Sequence, residues 1–217
     1  MQLRFLLFSV CFLFSSITFA QSEAIIDSLK QGVEANKGLD KIPFLDELAW
    51  SLIRSKPEEA VAFAKQALEI AGTSGDSIVV SKSANTLGAC LIQTGDYDQA
   101  MIANRRALNI RKTSGSPRDI GSSLSKIGLI YQNQSLLDSA IPYQIDALHY
   151  FEEATDSGAI AQTYTNLASL FDNNKDTNKA LEYAEKAKII CEQINYDYGL
   201  GGALGNISML WETKERF

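Results

Sequence analysis

Side chains able to perform nucleophilic or acid–base chemistry are few in this chain of 217 residues. His149 is the only histidine, so any Cys–His or Ser–His catalytic pair depends on that one residue. It lies in the run IDALHYFEE, where apolar residues recur at helical spacing. A histidine packed against its helix, or half exposed on it, is therefore expected rather than a catalytic base.

The cysteine thiols are also few and widely separated in the sequence. Cys90 and Cys191 are far apart in the sequence, and Cys11 lies in the apolar N-terminal segment. A disulfide requires Cα atoms within about 7 Å, and the organisation described below places Cys90 and Cys191 two repeats apart. We predict two free, mostly buried thiols.

Two segments resemble ligand-binding loops, but the first lacks residues that such a loop requires and the second lacks the required structural context. The stretch DNNKDTN (172–178) alternates oxygen ligands like an EF-hand, but Thr177 stands where glycine is needed and Tyr183 where the bidentate glutamate is needed. The stretch GLGGALG (199–205) resembles a dinucleotide-binding loop, which needs a preceding strand. We predict no metal site and no cofactor.

Acidic residues also cluster near the first predicted hairpin. Asp46 and Glu47 form one carboxylate pair, and Glu58 and Glu59 form another. The second pair follows Pro57 at a predicted helix start, where the helix dipole favours acidic side chains. Glycoside hydrolysis needs two carboxylates facing each other across a cleft, so we predict no catalytic residues.

Charge and composition bound the partners. The formal net charge is −6, the pI is about 4.9, and no run of basic residues occurs. A sequence-independent nucleic-acid binder needs a basic face, so we expect no nucleic-acid partner.

The N-terminal segment MQLRFLLFSVCFLFSSITFA has the layout of a secretory signal peptide. Arg4 precedes a mostly apolar stretch, and Ala20 ends the segment ahead of Gln21. The apolar stretch is short for a membrane span, which needs about 20 residues; an uncleaved anchor is the alternative. We predict a signal peptide over residues 1–20, cleavage near Ala20, and an exported, periplasmic or secreted chain whose mature part does not span the membrane.

The elements that position these side chains repeat with a period of about 40 residues. Apolar residues within each period recur every three or four positions, which is typical of helices. Short polar turns such as QTGDYD (93–98) divide each period into two helical stretches, so each unit is a helix–turn–helix hairpin. Small residues recur in register, where two helices cross closely: Gly88, Gly128, Ala168 and Ser208; Ala100, Ala140 and Ala180; Ala107, Ala147 and Ala187.

The run Leu87-Gly88, followed by Leu91, then GDY (95–97) and the alanines Ala100 and Ala107, resembles the tetratricopeptide repeat. The resemblance implies an all-α fold, a right-handed superhelix of stacked hairpins. The longer period resembles a variant in exported sensor arrays of bacterial signalling proteins. We expect an array over 21–217, with a leading helix at about 22–36, units at about 42–76, 77–116, 117–156 and 157–196, and a partial unit at 197–217.

The last unit matches one helix and no second helix follows it. Leu204, Ile207, Leu210 and Trp211 would then lack part of their cover. One interpretation is a longer protein, with a membrane helix, a histidine kinase or a DNA-binding domain beyond Phe217. The others are self-association through the C-terminal helix and a helix that simply caps the stack.

In such an array the first helix of each hairpin lines a concave groove. Counting from Gly88 and its equivalents predicts a polar, amide-rich groove, whose side chains can pair with an extended peptide backbone; the alternative is a merely solvated surface. The predicted groove residues are Lys82, Asn85, Ala89, Ile92, Gln93, Ser122, Ser125, Leu129, Gln132, Asn133, Gln162, Thr165, Ser169, Asp172 and Asn173.

The sequence therefore favours a non-catalytic scaffold that binds a protein or peptide, in the sensory or interaction region of a signalling protein. An oligomerisation or structural module is the second hypothesis. An enzyme is the third, and it suffers from the single histidine and the lack of a convergent acid pair.

Overall fold

A computed structural model describes residues 23–215. The predicted signal peptide and Phe217 lie outside these residues. Nearly all of the described part is helical, and no strand occurs within it. None of the described helices is long and apolar enough to cross a membrane.

Ten α-helices follow one another over residues 23–215. Helix α1 covers residues 23–35, and a short 3-10 helix covers Gly38–Lys41. The remaining helices are α2 (Ile42–Leu52), α3 (Pro57–Gly72), α4 (Ser77–Thr94), α5 (Tyr97–Ser114), α6 (Pro117–Asn133), α7 (Leu137–Glu153), α8 (Ser157–Asn173), α9 (Thr177–Gln193) and α10 (Asp197–Glu215).

The helices pack in sequence as antiparallel hairpins: α2 with α3, α4 with α5, α6 with α7, and α8 with α9. Each hairpin packs on the next, and the first helices also touch one another, α2 with α4, α4 with α6 and α8 with α10. The predicted all-α stack of hairpins is confirmed. Helices α4, α6, α8 and α10 begin in the same register of the repeat, as the sequence predicted.

Close helix crossings occur where the sequence places its small residues. Gly88, Gly128 and Ala168 are all buried. A Cβ atom on Gly88 would lie 2.6 Å from Cγ of Asn104, and one on Gly128 would lie 3.0 Å from Nε2 of Gln144. These positions are small because the facing helix carries a bulky amide, so their role is packing.

The leading helix α1 covers the first hairpin. A Cβ atom on Gly32 would overlap the Phe44 ring of α2, and Ile26 packs on the first core cluster. The close approach at Gly32 lets α1 lie flat against α2, which removes apolar surface of the first hairpin from water.

Helix starts are capped at the same register in successive repeats. At the starts of α4, α6 and α8, backbone N–H groups donate hydrogen bonds to the side chains of Asp76, Ser116 and Asp156, respectively. Pro117 stands in the first turn of α6, where its missing N–H leaves no helical hydrogen bond unmade. Asp96 and Asp176 cap α5 and α9 in the same way, with Asp176 Oδ1 3.1 Å from the backbone nitrogen of Lys179.

Helix α7 lacks the side-chain cap that the equivalent helices α5 and α9 have. Leu136 stands at its N-cap with φ −90° and ψ 69°, close to the −97° and 71° of Asp176, and makes no side-chain cap. The leucine side chain is 51% exposed, so its replacement leaves no cavity.

Leu136→Asp is expected to raise the free energy of unfolding by about 1 kcal/mol, because a carboxylate there accepts a hydrogen bond from an N–H of the first turn and lies at the positive end of the helix dipole. Urea denaturation with an unchanged m-value is the measurement. Leu136→Ala is the matched control, since it removes the leucine without adding an acceptor. Equal stability of the Asp and Ala variants would contradict the prediction.

Candidate binding groove

The first helices of the hairpins form one layer, and the predicted groove residues lie along it. In α4, Lys82 and Gln93 are exposed, whereas Asn85, Ala89 and Ile92 are buried. The groove face of the second hairpin therefore has exposed side chains at both ends and buried side chains in its centre.

The third and fourth hairpins are joined across this layer. Gln132 of α6 donates from Nε2 to Ser169 Oγ of α8, at 3.2 Å. Ser125 is engaged inside its own hairpin, because its hydroxyl donates to Gln144 Oε1 of α7, at 3.2 Å. Asp172 and Ser169 line a small cavity against α10. The remaining predicted residues of these hairpins are half-buried or exposed: Ser122, Leu129, Asn133, Gln162, Thr165 and Asn173.

A cavity of about 610 Å³ opens between the first hairpin and the start of α10. Gln162 and Thr165 line it, as do Arg54, Tyr198 and the glycines at 199, 201 and 202. Arg54 Nη1 donates to the Tyr198 hydroxyl at 2.9 Å, and its guanidinium carbon lies 5.6 Å from the Tyr198 ring centre. This contact joins the turn after α2 to α10 across three intervening hairpins, so the stack curls around the cavity.

A second contact also joins distant hairpins on this layer. Lys126 Nζ of α6 lies 5.8 Å from the Trp50 ring centre of α2, with α4 between the two helices. Trp50 is exposed and Lys126 is half-buried, and Lys126 Nζ also lies 3.1 Å from Ser122 Oγ. The helix that this contact spans is the one whose central groove residues are buried.

Sequence reasoning did not single out Trp50, Arg54, Lys126 or Tyr198. A signal for the first two was present, because Trp50 and Arg54 follow Ala49 in the register in which Ala89 and Gln93 follow Gly88. The other two could not be found that way, since they approach α2 only through the curvature of the stack.

A second cavity, of about 560 Å³, lies between α2 and α4 and is lined by Lys82, Asp46 and apolar side chains. Ser83 Oγ donates to Asp46 Oδ2 at 3.1 Å. Burial raises the pKa of Asp46, and this effect outweighs its hydrogen bonds to Ser83 and Thr86. Asp46 thus ties α2 to α4 and gives this end of the groove an acidic group.

Comparison of the sequence with known protein families identifies the type of repeat. Residues 48–113 and 119–193, more than half of the chain, match the tetratricopeptide repeat family. The chain belongs to the tetratricopeptide repeat family. No curated protein sequence matches it.

Solved structures share the fold of this tetratricopeptide array at low sequence identity. BtubC from P. vanneervenii is 16% identical with a TM-score of 0.70, over 90% of this chain and 82% of its own. Aspartyl phosphate phosphatase F from Bacillus subtilis is 19% identical with a TM-score of 0.76, over 90% of this chain and 55% of its own. A Rap protein complexed with Competence and Sporulation Factor is 15% identical with a TM-score of 0.74, over 94% of this chain and 62% of its own. The chain therefore spans little more than half the length of the last two.

Two groove side chains of the array carry polar atoms without a partner in the described part of the chain. Asn85 Oδ1 and Gln132 Oε1 are buried acceptors that receive no hydrogen bond. An unpaired buried acceptor costs about 1–3 kcal/mol. Both residues belong to the predicted groove, but these two oxygen atoms are buried, so they lower the stability of the array and are not exposed to a ligand on its surface.

The side chains considered for catalysis lie elsewhere in the array. His149 is exposed on α7, where its ring lies 5.9 Å from that of Tyr150. Cys90 and Cys191 are buried and free, as predicted. Burial raises the pKa of Cys90 to about 12 and also raises that of Cys191, so neither is a ready thiolate. Among the described residues no group of His, Cys, Asp and Glu side chains could hold a metal ion.

The two segments that resemble ligand-binding loops are parts of the helical array. Residues 172–178 form the end of α8, a turn and the start of α9, where Asp176 is the helix cap. Residues 199–205 lie within α10, and a Cβ atom on Gly201, Gly202 or Gly205 would meet nothing within 4 Å.

Lys126 is a cation that the array holds at a cost in stability. Burial, together with the nearby charge of Arg111, lowers its pKa from 10.5 to about 8. The folded state therefore releases the proton before the unfolded state does. Its destabilising effect is fully present below pH 8 and is relieved as the pH rises towards 10.5.

Lys126→Met is expected to be more stable than the wild type at neutral pH, because methionine fills similar space without the charge. This advantage should shrink as the pH rises from about 8 to 10.5, as measured by urea denaturation of both proteins at each pH. A difference that stays constant over that range would contradict the prediction.

Proposed function

We propose that this tetratricopeptide array is a scaffold that binds a protein or peptide in an extended conformation along its groove. The observation that carries the proposal is the cavity of about 610 Å³ on the first-helix layer, whose lining includes the exposed Gln162 and the half-buried Thr165. An extended peptide presents one N–H and one C=O per residue, and such amide and hydroxyl groups can pair with them. The cavity also gives room for the side chains of the peptide.

Similar structures agree with such a use. The Rap protein was solved in complex with Competence and Sporulation Factor. That partner was observed with the Rap protein. For this chain we propose a ligand that is bound by side chains of this array, on the same fold.

Screening the chain against a randomised peptide array tests the proposal. Gln132→Ala and Gln162→Ala are expected to weaken capture of the selected peptides by about tenfold each, since each loses a hydrogen-bonding group. Gln99→Ala is the matched control, because Gln99 is exposed on α5, in the second-helix layer. Equal capture by all these variants would exclude the groove as the binding site.

The finer proposal is that the array is exported and forms the sensory or interaction region of a bacterial signalling protein. It rests on the N-terminal segment Met1–Ala20 and on the resemblance of the long repeat to exported sensor arrays. Mass spectrometry of the chain expressed with its N-terminus should find a mature protein beginning at Gln21. A protein that retains Met1–Ala20 in the cytoplasm would contradict export.

Self-association is a second candidate function, favoured by one face of α10. Leu204 and Trp211 are 46% and 49% exposed, although their equivalents in the second hairpin, Ala84 and Leu91, are buried against α5 and its neighbours. Pairing of two such faces would remove this apolar surface from water. Sedimentation over a range of concentrations should show a dimer that Leu204→Gln weakens; a monomer at all concentrations would exclude it.

A further inference from the structure

The cavity between α2 and α4 has the size and the lining of a small-molecule site. Its volume of about 560 Å³ lies within the range of about 300–1,000 Å³ that is usual for such sites. Its apolar wall consists of Leu39, Ile42, Pro43 and Val79. Leu39 belongs to the short 3-10 helix, and the other three belong to the first turns of α2 and α4. The cavity therefore lies at the edge of the array, where these two helices begin.

Two carboxyl groups, those of Asp46 and Asp76, also line this cavity. Among the described residues, no lysine or arginine nitrogen lies within 4 Å of either carboxyl group. Asp76 Oδ1 accepts hydrogen bonds from the backbone nitrogens of Ile78, at 2.8 Å, and Val79, at 3.4 Å. These bonds cap α4 but bring no positively charged side chain to the cavity.

Asp46 has a charge that its surroundings compensate poorly. Ser83 Oγ donates to Asp46 Oδ2, whereas Asp46 Oδ1 is buried and receives no hydrogen bond in the described part of the chain. Burial raises the pKa of Asp46, and the nearby charge of Glu47 raises it further. Lys82 lowers this pKa, but by less than any of the other groups around Asp46. A positive charge within about 4–6 Å would favour the ionised carboxylate, without any contact with the buried oxygen.

We propose that this cavity binds a small organic cation with an apolar body, such as an alkylammonium ion. The ammonium group lies on the side of Asp46, and the hydrocarbon chain lies against the apolar wall. An anionic ligand fits less well, because two carboxyl groups and one lysine, Lys82, line the cavity. This inference does not depend on the proposed peptide-binding function, since the ligand enters a separate cavity.

Three probes of equal length separate charge from apolar contact: hexylammonium, hexan-1-ol and hexanoate. Titration of the isotope-labelled protein, followed by NMR, measures each affinity, and the backbone amides of Ile42 and Val79 report binding at the cavity. We expect hexylammonium to bind about tenfold more tightly than hexan-1-ol, because the alcohol makes the same apolar contacts without the charge. Hexanoate should bind most weakly.

Variants of the two charged groups should change the affinity in opposite directions. Asp46→Asn removes the charge with little change of shape, and is expected to weaken hexylammonium binding by about tenfold while leaving hexan-1-ol unchanged. Lys82→Gln should strengthen hexylammonium binding, because it removes the competing cation. Asp98→Asn is the matched control, since Asp98 is exposed in the first turn of α5, at the other end of its hairpin. This control should leave all three affinities unchanged.

Leu39→Lys tests the site without altering a buried group. Leu39 is 47% exposed, so the fold should tolerate a lysine there. The added ammonium group should abolish the preference for hexylammonium over hexan-1-ol, because it repels a second cation in the cavity.

Equal affinity of the wild type for hexylammonium and hexan-1-ol would overturn the proposal, as would an undiminished preference in both Asp46→Asn and Leu39→Lys. Amide shifts scattered over the surface, without a response of Ile42 or Val79, would overturn it as well. Capture of peptides from the randomised array is measured separately, so failure of the cation site and failure of the peptide groove are distinguishable.

Discussion

Gly88→Ala is expected to lower the free energy of unfolding by about 1–2 kcal/mol. The new Cβ atom would lie 2.6 Å from Cγ of Asn104, whose side chain is fully buried and donates to the Ala100 carbonyl at 2.9 Å. Overpacking a core costs about 1–3 kcal/mol, and the better helix propensity of alanine returns up to about 1 kcal/mol. Urea denaturation measures the difference.

The repeat itself supplies the second half of this test. Glycine at this position faces an amide in the second and third hairpins, Asn104 and Gln144, whereas the fourth hairpin has alanine at both positions, Ala168 and Ala184. The double variant Gly88→Ala with Asn104→Ala reproduces that alanine pair. It should recover at least wild-type stability, because it also removes the unpaired buried acceptor Asn104 Oδ1.

Gly205→Ala is the control for helix propensity alone. A Cβ atom there meets nothing within 4 Å, so this variant should gain up to about 1 kcal/mol. If Gly88→Ala were as stable as Gly205→Ala, the close crossing at Gly88 would not be a packing constraint.

Arg111→Ala is expected to lower the free energy of unfolding by about 3 kcal/mol, because it removes a buried guanidinium that joins the second hairpin to the third. The Arg111 side chain is 4% exposed. Its Nη1 donates to the Asp119 carbonyl at 2.9 Å and to Ser123 Oγ at 3.0 Å, and Nη2 lies 3.8 Å from Asp119 Oδ1. Hydrogen bonds to a charged group contribute about 1.5–3 kcal/mol, and the stem adds packing.

Arg111→Met separates packing from charge. It keeps an apolar side chain in the same space and should lose only about 1 kcal/mol, because an apolar replacement avoids the desolvation that lowers the pKa of Arg111. The two variants are compared by urea denaturation. Equal losses for Ala and Met would show that packing contributes nothing there, and no loss for Ala would contradict a role for Arg111 between the hairpins.

The sequence predicted least well which of the groove side chains are exposed and which are buried. Counting from Gly88 treated each hairpin alone and predicted Asn85, Ala89 and Ile92 as groove residues, yet all three are buried. Their burial depends on neighbouring helices on both sides. Ser125 was assigned to the groove on the same count, although its hydroxyl bonds to Gln144 within the hairpin.

The amino-acid sequence by itself determined the helices, their register and the crossings. These features follow from local signals: apolar spacing, capping residues at fixed places, and small residues such as Gly88 and Gly128. Each signal occurs in several repeats. Only the tertiary structure decided which distant side chains meet across the stack. The contacts of Arg54 with Tyr198 and of Lys126 with Trp50 depend on a small rotation between successive hairpins. That rotation accumulates along the stack, so no single repeat reveals which distant side chains will meet.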